Sequence, residues 1–169
     1  MARTLSAHGI RADLPQGWEG HITLLAPTSP TNAARAPSGA LMQTETTRPF
    51  AHFANMALPP STDAFGGAAV ERLGAEHTLV CLIEYSAECA GTALFSRHRL
   101  PRKLTPRDFH RRALQRTIPG QAGSQTFLTE AGRPFCLYVV VGSYLRLSTL
   151  SRQITTVLRG IQIERTSSS

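Results

Sequence analysis

The segment QTFLTEAGRPFCLYVVVGSYLRLSTLSRQITTVLRGIQIE, Gln125 to Glu164, changes its hydrophobic period from strand to helix and back to strand. At its centre Phe135-Cys136-Leu137-Tyr138-Val139-Val140-Val141 is continuously apolar and rich in β-branched and aromatic residues, as a strand covered on both faces is. The shorter, more polar run Gln125 to Glu130 precedes it. Between the two, Ala131-Gly132-Arg133-Pro134 supplies a glycine for an unusual φ and a proline to open the second strand. An antiparallel hairpin is expected. Downstream, Leu147, Leu150, Ile154, Val157 and Leu158 form a helical stripe, with Ser151, Arg152, Thr155, Thr156 and Arg159 on the other side. Ser148 is the expected N-cap, Arg159 falls in the last turn and Gly160 takes the C′ position. Ile161 and Ile163 then alternate with Gln162 and Glu164 as a terminal, half-buried strand. The helix has to lie across the sheet to bury its stripe.

Towards the N-terminus, Thr78 to Tyr85 (TLVCLIEY) is the second strongly apolar strand and the expected neighbour of 135–141. Gly66 to Gly74 reads as a short helix ended by Gly74, and Thr92 to Phe95 as a short strand or its frayed end. Phe50 to Leu58 is an expected strand stopped by Pro59-Pro60. Residues 26–49 are rich in Pro, Thr, Ser, Asn and Ala without periodicity, a long flexible loop in which 40–42 is a weak strand. Gly9 to Leu14, the turn Pro15-Gln16-Gly17 and Trp18 to Leu25 read as an opening hairpin, with Trp18 plugging one end of the core. The expectation is a single α+β domain over 1–169, with a disordered tail at 165–169. Its antiparallel sheet would hold about five to seven strands, packed by about two or three helices.

The chain is 169 residues long, enough to bury roughly 70% of its unfolded surface in one core. No apolar run approaches bilayer length, so no transmembrane segment is expected. The N-terminus has Arg3 but no signal-type apolar region, since His8, Arg11 and Asp13 interrupt it. A soluble cytoplasmic protein, monomer or homodimer, is expected. The cysteines Cys81, Cys89 and Cys136 are odd in number and lack CxxC spacing, which argues against a disulfide framework. Cys81 and Cys136 fall in expected buried strands and read as core residues, while Cys89 reads as an exposed thiol.

The pattern Gly9-Ile10, Leu14-Pro15 and Gly17-Trp18 at the opening, the antiparallel strands and the closing helix and strand (Leu150 to Ile163) resemble the Mog1/PsbP-like α/β/α sandwich. The chain is also similar to a group of small uncharacterised actinobacterial proteins through Gly91 to Phe95, Pro119 to Gly123 and Phe135 to Val140. Members with this fold are mostly binding or assembly factors, so the resemblance implies a non-enzyme and carries over no catalytic residues.

Motifs for chemistry are missing from the sequence. His8, His21, His52, His77, His98 and His110 form no HxxxH or HExxH pair and have no cysteine at finger spacing, so no metal is expected. His21 and His52, on expected strands, are read as satisfied by backbone partners. Ala122-Gly123-Ser124-Gln125-Thr126 lacks the flanks of a nucleophile elbow, and no phosphate-binding glycine loop follows a strand. No cofactor is expected.

Charge is the feature that points outward. Residues 97–116 hold Arg97, Arg99, Arg102, Lys103, Arg107, Arg111, Arg112 and Arg116 against the single acid Asp108, whereas the rest of the chain balances at ten cations and ten acids. Thr105-Pro106-Arg107-Asp108 predicts a helix from Pro106 to Arg116 that stands Arg107 with Arg111, and Arg112 with Arg116, four apart and lets Asp108 pair with Arg112. The expected function is a non-catalytic protein-interaction or assembly factor that meets an acidic partner with Arg99, Arg102, Lys103, Arg107, Arg111, Arg112 and Arg116. The alternative is a nucleic-acid or other polyanion binder using the same surface. It is disfavoured because no nucleic-acid motif accompanies the charge and aromatics are scarce around it. A small-ligand carrier or enzyme ranks below both. A solvated surface whose arginines pair with Glu71, Glu76 or Glu88 is the plainer explanation of the same charge.

Overall fold

The computed structural model describes residues 2–25, 48–60 and 63–166. Nearly all of the loop expected over 26–49, the weak strand at 40–42 within it, and the last three residues of the tail lie outside that range.

The described residues are α+β, with eight strands divided between two antiparallel sheets. Strands β1 (Arg3–Ala7) and β2 (Ile10–Leu14) pair with each other, and β8 (Ile161–Ile163) adds to β2. The larger sheet contains β3 (Glu19–Leu25), β4 (Arg48–Ala54), β5 (Thr78–Glu84), β6 (Ala122–Glu130) and β7 (Arg133–Val141), in the order β3-β4-β5-β7-β6. The five-stranded sheet has the expected antiparallel character and size, and the three-stranded sheet adds a second layer. The hairpin expected over Gly9–Leu25 does not form, because β2 and β3 enter different sheets. The opening hairpin instead joins Arg3–Ala7 to Ile10–Leu14 through His8 and Gly9, both at positive φ. Ile10, Ala12 and Leu14 face the core from β2, so the chain crosses from one layer to the other at Pro15–Gly17.

The hairpin β6–β7 and the pairing of β5 with β7 follow the sequence expectation, with Leu82 opposite Leu137 and Thr126 opposite Leu137 on the far side. Only Ala131 and Gly132 form the turn, at φ 55° and 73°, the two left-handed positions a tight antiparallel connection needs. Arg133 and Pro134 already belong to β7. Every residue of β7 is buried, because both faces of the larger sheet are covered. One face, with Phe53, Val80, Leu82, Leu137 and Val139, packs against β2 and helix α2 (Leu147–Gly160). The other, with Leu79, Cys81, Ile83, Cys136 and Tyr138, is covered by Phe65, Tyr85, Phe95 and helix α1 (Gly67–Val70). Helix α1 is shorter than the expected 66–74 helix. Strand β4 stops at Ala54 rather than Leu58, and Thr92–Phe95 forms turns rather than a strand, with the Phe95 amide donating to the Thr92 carbonyl.

Helix α2 buries Leu150, Ile154, Val157 and Leu158, each contributing roughly 1.5–3 kcal/mol of transfer free energy. Its start differs from expectation. A 3₁₀ turn over Tyr144–Arg146, held by the Tyr144 amide donating to the Gly120 carbonyl, leads straight into Leu147, so Ser148 lies inside the helix and is not its cap. Gly160 ends the helix without positive φ. The glycine is required because a Cβ there would run into the Asp13 carbonyl of β2.

A buried arginine joins the two layers. Arg133, 5% exposed, donates from Nε and Nη2 to the two Glu84 carboxylate oxygens (2.9 and 2.7 Å). It also donates to the carbonyls of His8 (3.0 Å), Gly9 (3.1 Å) and Glu164 (3.0 Å). All five of its N–H groups are engaged.

Candidate basic interaction surface

The basic segment leaves the second core face at the buried Phe95 and runs along β6. The Thr129 amide donates to the Arg97 carbonyl (2.9 Å), the Arg99 amide donates to the Thr129 carbonyl (3.2 Å), and the Leu100 amide donates to Glu130 Oε2 (2.7 Å). Further on, His110 and Gly123 exchange backbone hydrogen bonds of 2.8 and 3.0 Å. The helix expected over Pro106–Arg116 does not form. Two separate 3₁₀ turns, Pro106–Asp108 and Arg111–Ala113, flank an extended stretch at Phe109 and His110. The local cap signal is real, since the Asp108 carboxylate accepts from the amide and hydroxyl of Thr105 (2.7 and 2.9 Å). Propagation loses because Phe109 buries its ring in the core and His110 spends its backbone groups on Gly123.

Leu100, Leu104 and Phe109 therefore anchor the segment from beneath while the cations between them stay at the surface. These cations have different fates. Arg102 Nη1 donates to the carbonyls of Leu158 (3.0 Å) and Ile161 (2.6 Å), closing the C-terminal end of α2, and Nη2 lies 3.7 Å from Glu130. Arg116 pairs with Glu71, one of the distant acids named as a partner in the solvated alternative. Arg111 stacks its guanidinium 4.0 Å from the centre of the Tyr144 ring. The expected Asp108–Arg112 pair is not made, Asp108 being held by Thr105. Among the described residues Arg97, Arg99, Lys103, Arg107 and Arg112 make no side-chain hydrogen bond or ion pair. Arg99 is held at φ 74°, a left-handed conformation that an L-residue adopts at a cost of about 1–2 kcal/mol.

Between the Lys103–Pro106 strap and α2 lies a groove of about 560 Å³. The strap is tied to the helix through Thr155 Oγ1, which receives the Leu104 amide (3.2 Å) and donates to the Leu104 carbonyl (3.3 Å). Lys103 lines the groove from the strap, Arg152 and Arg159 from the helix, and no acid lines it. Arg152 and Arg159 are site residues that the sequence reading left on the solvent face of the helix. Their seven-residue spacing on one face is the signal that could have found them.

A second hollow, near 370 Å³, lies by Asn55, Glu76, His77, Arg146 and Gln153. Its groups largely satisfy one another. Asn55 accepts from the Thr78 amide (2.8 Å) and donates to the Glu76 carbonyl (2.9 Å) and to Gln153 Oε1 (3.2 Å), and Arg146 pairs with Glu76 (3.0 Å).

The three cysteines and the two strand histidines lie in or against the core. His52 is fully buried and donates Nε2–H to the Ala64 carbonyl (2.8 Å), the backbone partner expected of it. Burial pulls its pKa down to about 4. His21, also lowered by burial, sits edge-on to the His52 ring at 5.0 Å. Burial pushes the Cys136 thiol up to about 12 and the Cys81 thiol well above its ordinary value, so neither supplies a thiolate at neutral pH. Cys89 is half-buried against the second core face rather than openly exposed. Among the described residues no three His, Cys, Asp or Glu side chains gather as a metal site, and no helix is long and apolar enough to cross a membrane. Comparison with family models, with curated proteins and with solved structures returns no match.

Proposed function

We propose that the protein is a non-catalytic interaction or assembly factor that docks an acidic protein surface through the strap formed by residues 97–116. The observation that carries this reading is the group of exposed cations, Arg97, Arg99, Lys103, Arg107 and Arg112, that no internal acid neutralises among the described residues. They are presented on a segment pinned to the core at three points, so little further ordering is needed on binding. Arg111, Arg102 and Arg116 complete the positive field, although Arg102 is also committed to the end of α2. The Mog1/PsbP-like resemblance belongs to the same proposal and supports it, since that group consists mostly of binding and assembly factors. Free thiols at Cys81, Cys89 and Cys136 suit a reducing compartment, and the cytoplasm is the proposed location.

The test is fluorescence anisotropy with a labelled glutamate-rich peptide and with random duplex and single-stranded DNA, across a salt series. The protein is compared with the triple variant Arg107→Glu, Arg111→Glu, Arg112→Glu. Binding of the acidic peptide that the triple variant loses, with weak DNA binding, is the expected result. Tight DNA binding with a steep salt slope, lost in the variant, overturns the reading in favour of a polyanion binder.

A further inference from the structure

We propose that the groove between the Lys103–Pro106 strap and helix α2 seats an extended acidic peptide segment of the partner, with two carboxylates three residues apart. This deepens the reading of an acid-binding surface and rests on it. Arg152 and Arg159 both line the groove from α2, and Lys103 lines it from the strap. Seven residues of α-helix separate the two arginines by about 10.5 Å, within roughly 20° of the same face. A peptide in the extended polyproline II conformation advances about 9 Å in three residues and brings every third side chain back to the same face, close to the spacing of the two arginines. Cations that far apart suit a row of separate charges and do not converge on a single small anion. The floor between them is the tether of Leu104 to Thr155, with Pro106 beside it, which gives an apolar stem something to lie on. No aromatic side chain lines the groove among the described residues, so a nucleic acid would find phosphate partners there but no platform for its bases. Charge and spacing together therefore favour a peptide over a polynucleotide.

The experiment uses labelled peptides of one composition, one carrying Glu-x-x-Glu and one carrying the two glutamates adjacent. Both are titrated against the full chain, the double variant Arg152→Gln, Arg159→Gln, and the double variant Arg107→Gln, Arg112→Gln. All four arginines are exposed, so the fold is retained. The expected result is tighter binding of the Glu-x-x-Glu peptide, weakened about tenfold or more by the Arg152/Arg159 change and about threefold by the Arg107/Arg112 change, which thins the surrounding positive field without touching the groove. Equal loss in both variants without a spacing preference overturns the groove and leaves the broader acid-binding surface standing. If neither peptide binds while single-stranded DNA does, and the Arg152/Arg159 variant still binds it, both the groove and the broader reading fall.

Discussion

Replacing Arg133 by methionine keeps much of its volume but removes a guanidinium whose five N–H groups all have partners. The Glu84 carboxylate, with a side chain only 14% exposed, would be left without its counter-ion, and the carbonyls of His8, Gly9 and Glu164 would lose their donor. Breaking a buried pair on one side costs about 3–5 kcal/mol, a large part of the roughly 5–15 kcal/mol that holds a domain folded. Urea unfolding at neutral pH, followed by the fluorescence of Trp18, the only tryptophan and one buried in the core, measures that loss directly. The double change Arg133→Met, Glu84→Gln neutralises the stranded carboxylate. It should come out less destabilised than the two single costs added together, by a coupling of about 1–3 kcal/mol. Hydrogen exchange should quicken first at the β1–β2 turn, whose carbonyls the guanidinium holds. A single-variant loss below about 1 kcal/mol, or strictly additive costs, would refute the role of Arg133 as the joint between the layers.

Two further outcomes are expected. His52 is held near pKa 4, mainly by burial and secondarily by the neighbouring His21, while the Ala64 carbonyl and Asp63 act the other way. The unfolded chain takes up a proton near pH 6.5 that the folded chain refuses. This stabilising contribution is complete above about 6.5 and is lost as pH falls towards 4, by about 3 kcal/mol. A melting-temperature series against pH should show that slope flattened in His52→Gln, and parallel curves would refute it. At Arg99, φ 74° means that Arg99→Gly should relieve strain and raise stability by about 0.5–1 kcal/mol net of the glycine's extra chain entropy. Arg99→Ala should bring no such gain, and equal unfolding midpoints for the two variants would count against strain at this position.

The sequence disclosed what local periodicity encodes. The β6–β7 hairpin, the β5–β7 pairing and the stripe of α2 were legible because each buries a face written into consecutive residues. Strand β1 was not, since none of Arg3-Thr4-Leu5-Ser6-Ala7 is fully buried and its alternation, Leu5 and Ala7 against Thr4 and Ser6, rests on two half-buried residues. The turn at Pro15–Gly17 was seen, but turn residues do not name the strand that follows as a pairing partner, and β3 goes to β4 instead. The helix expected from Thr105 to Arg116 had a sound start and was overruled by two distant claims, the core on Phe109 and β6 on His110. The cations of 97–116 were legible as a cluster, yet composition could not separate Arg102, which serves the end of α2, from Lys103 beside it, which does not. Depth is invisible in a charged residue, and so Arg133 read as part of a turn.

Strand β6 is the outermost strand of the larger sheet, and its free side carries the basic segment, with His98 beside Thr129 and His110 beside Gly123. An uncovered strand edge invites the strand of another molecule, and irregular, like-charged chain laid along it blocks that approach. The cations proposed to meet a partner would thus also keep copies of this protein from joining at this edge. Excising 97–116 would bare the edge and cause self-association, a result easily mistaken for loss of binding, whereas reversing charges in place leaves the cover intact.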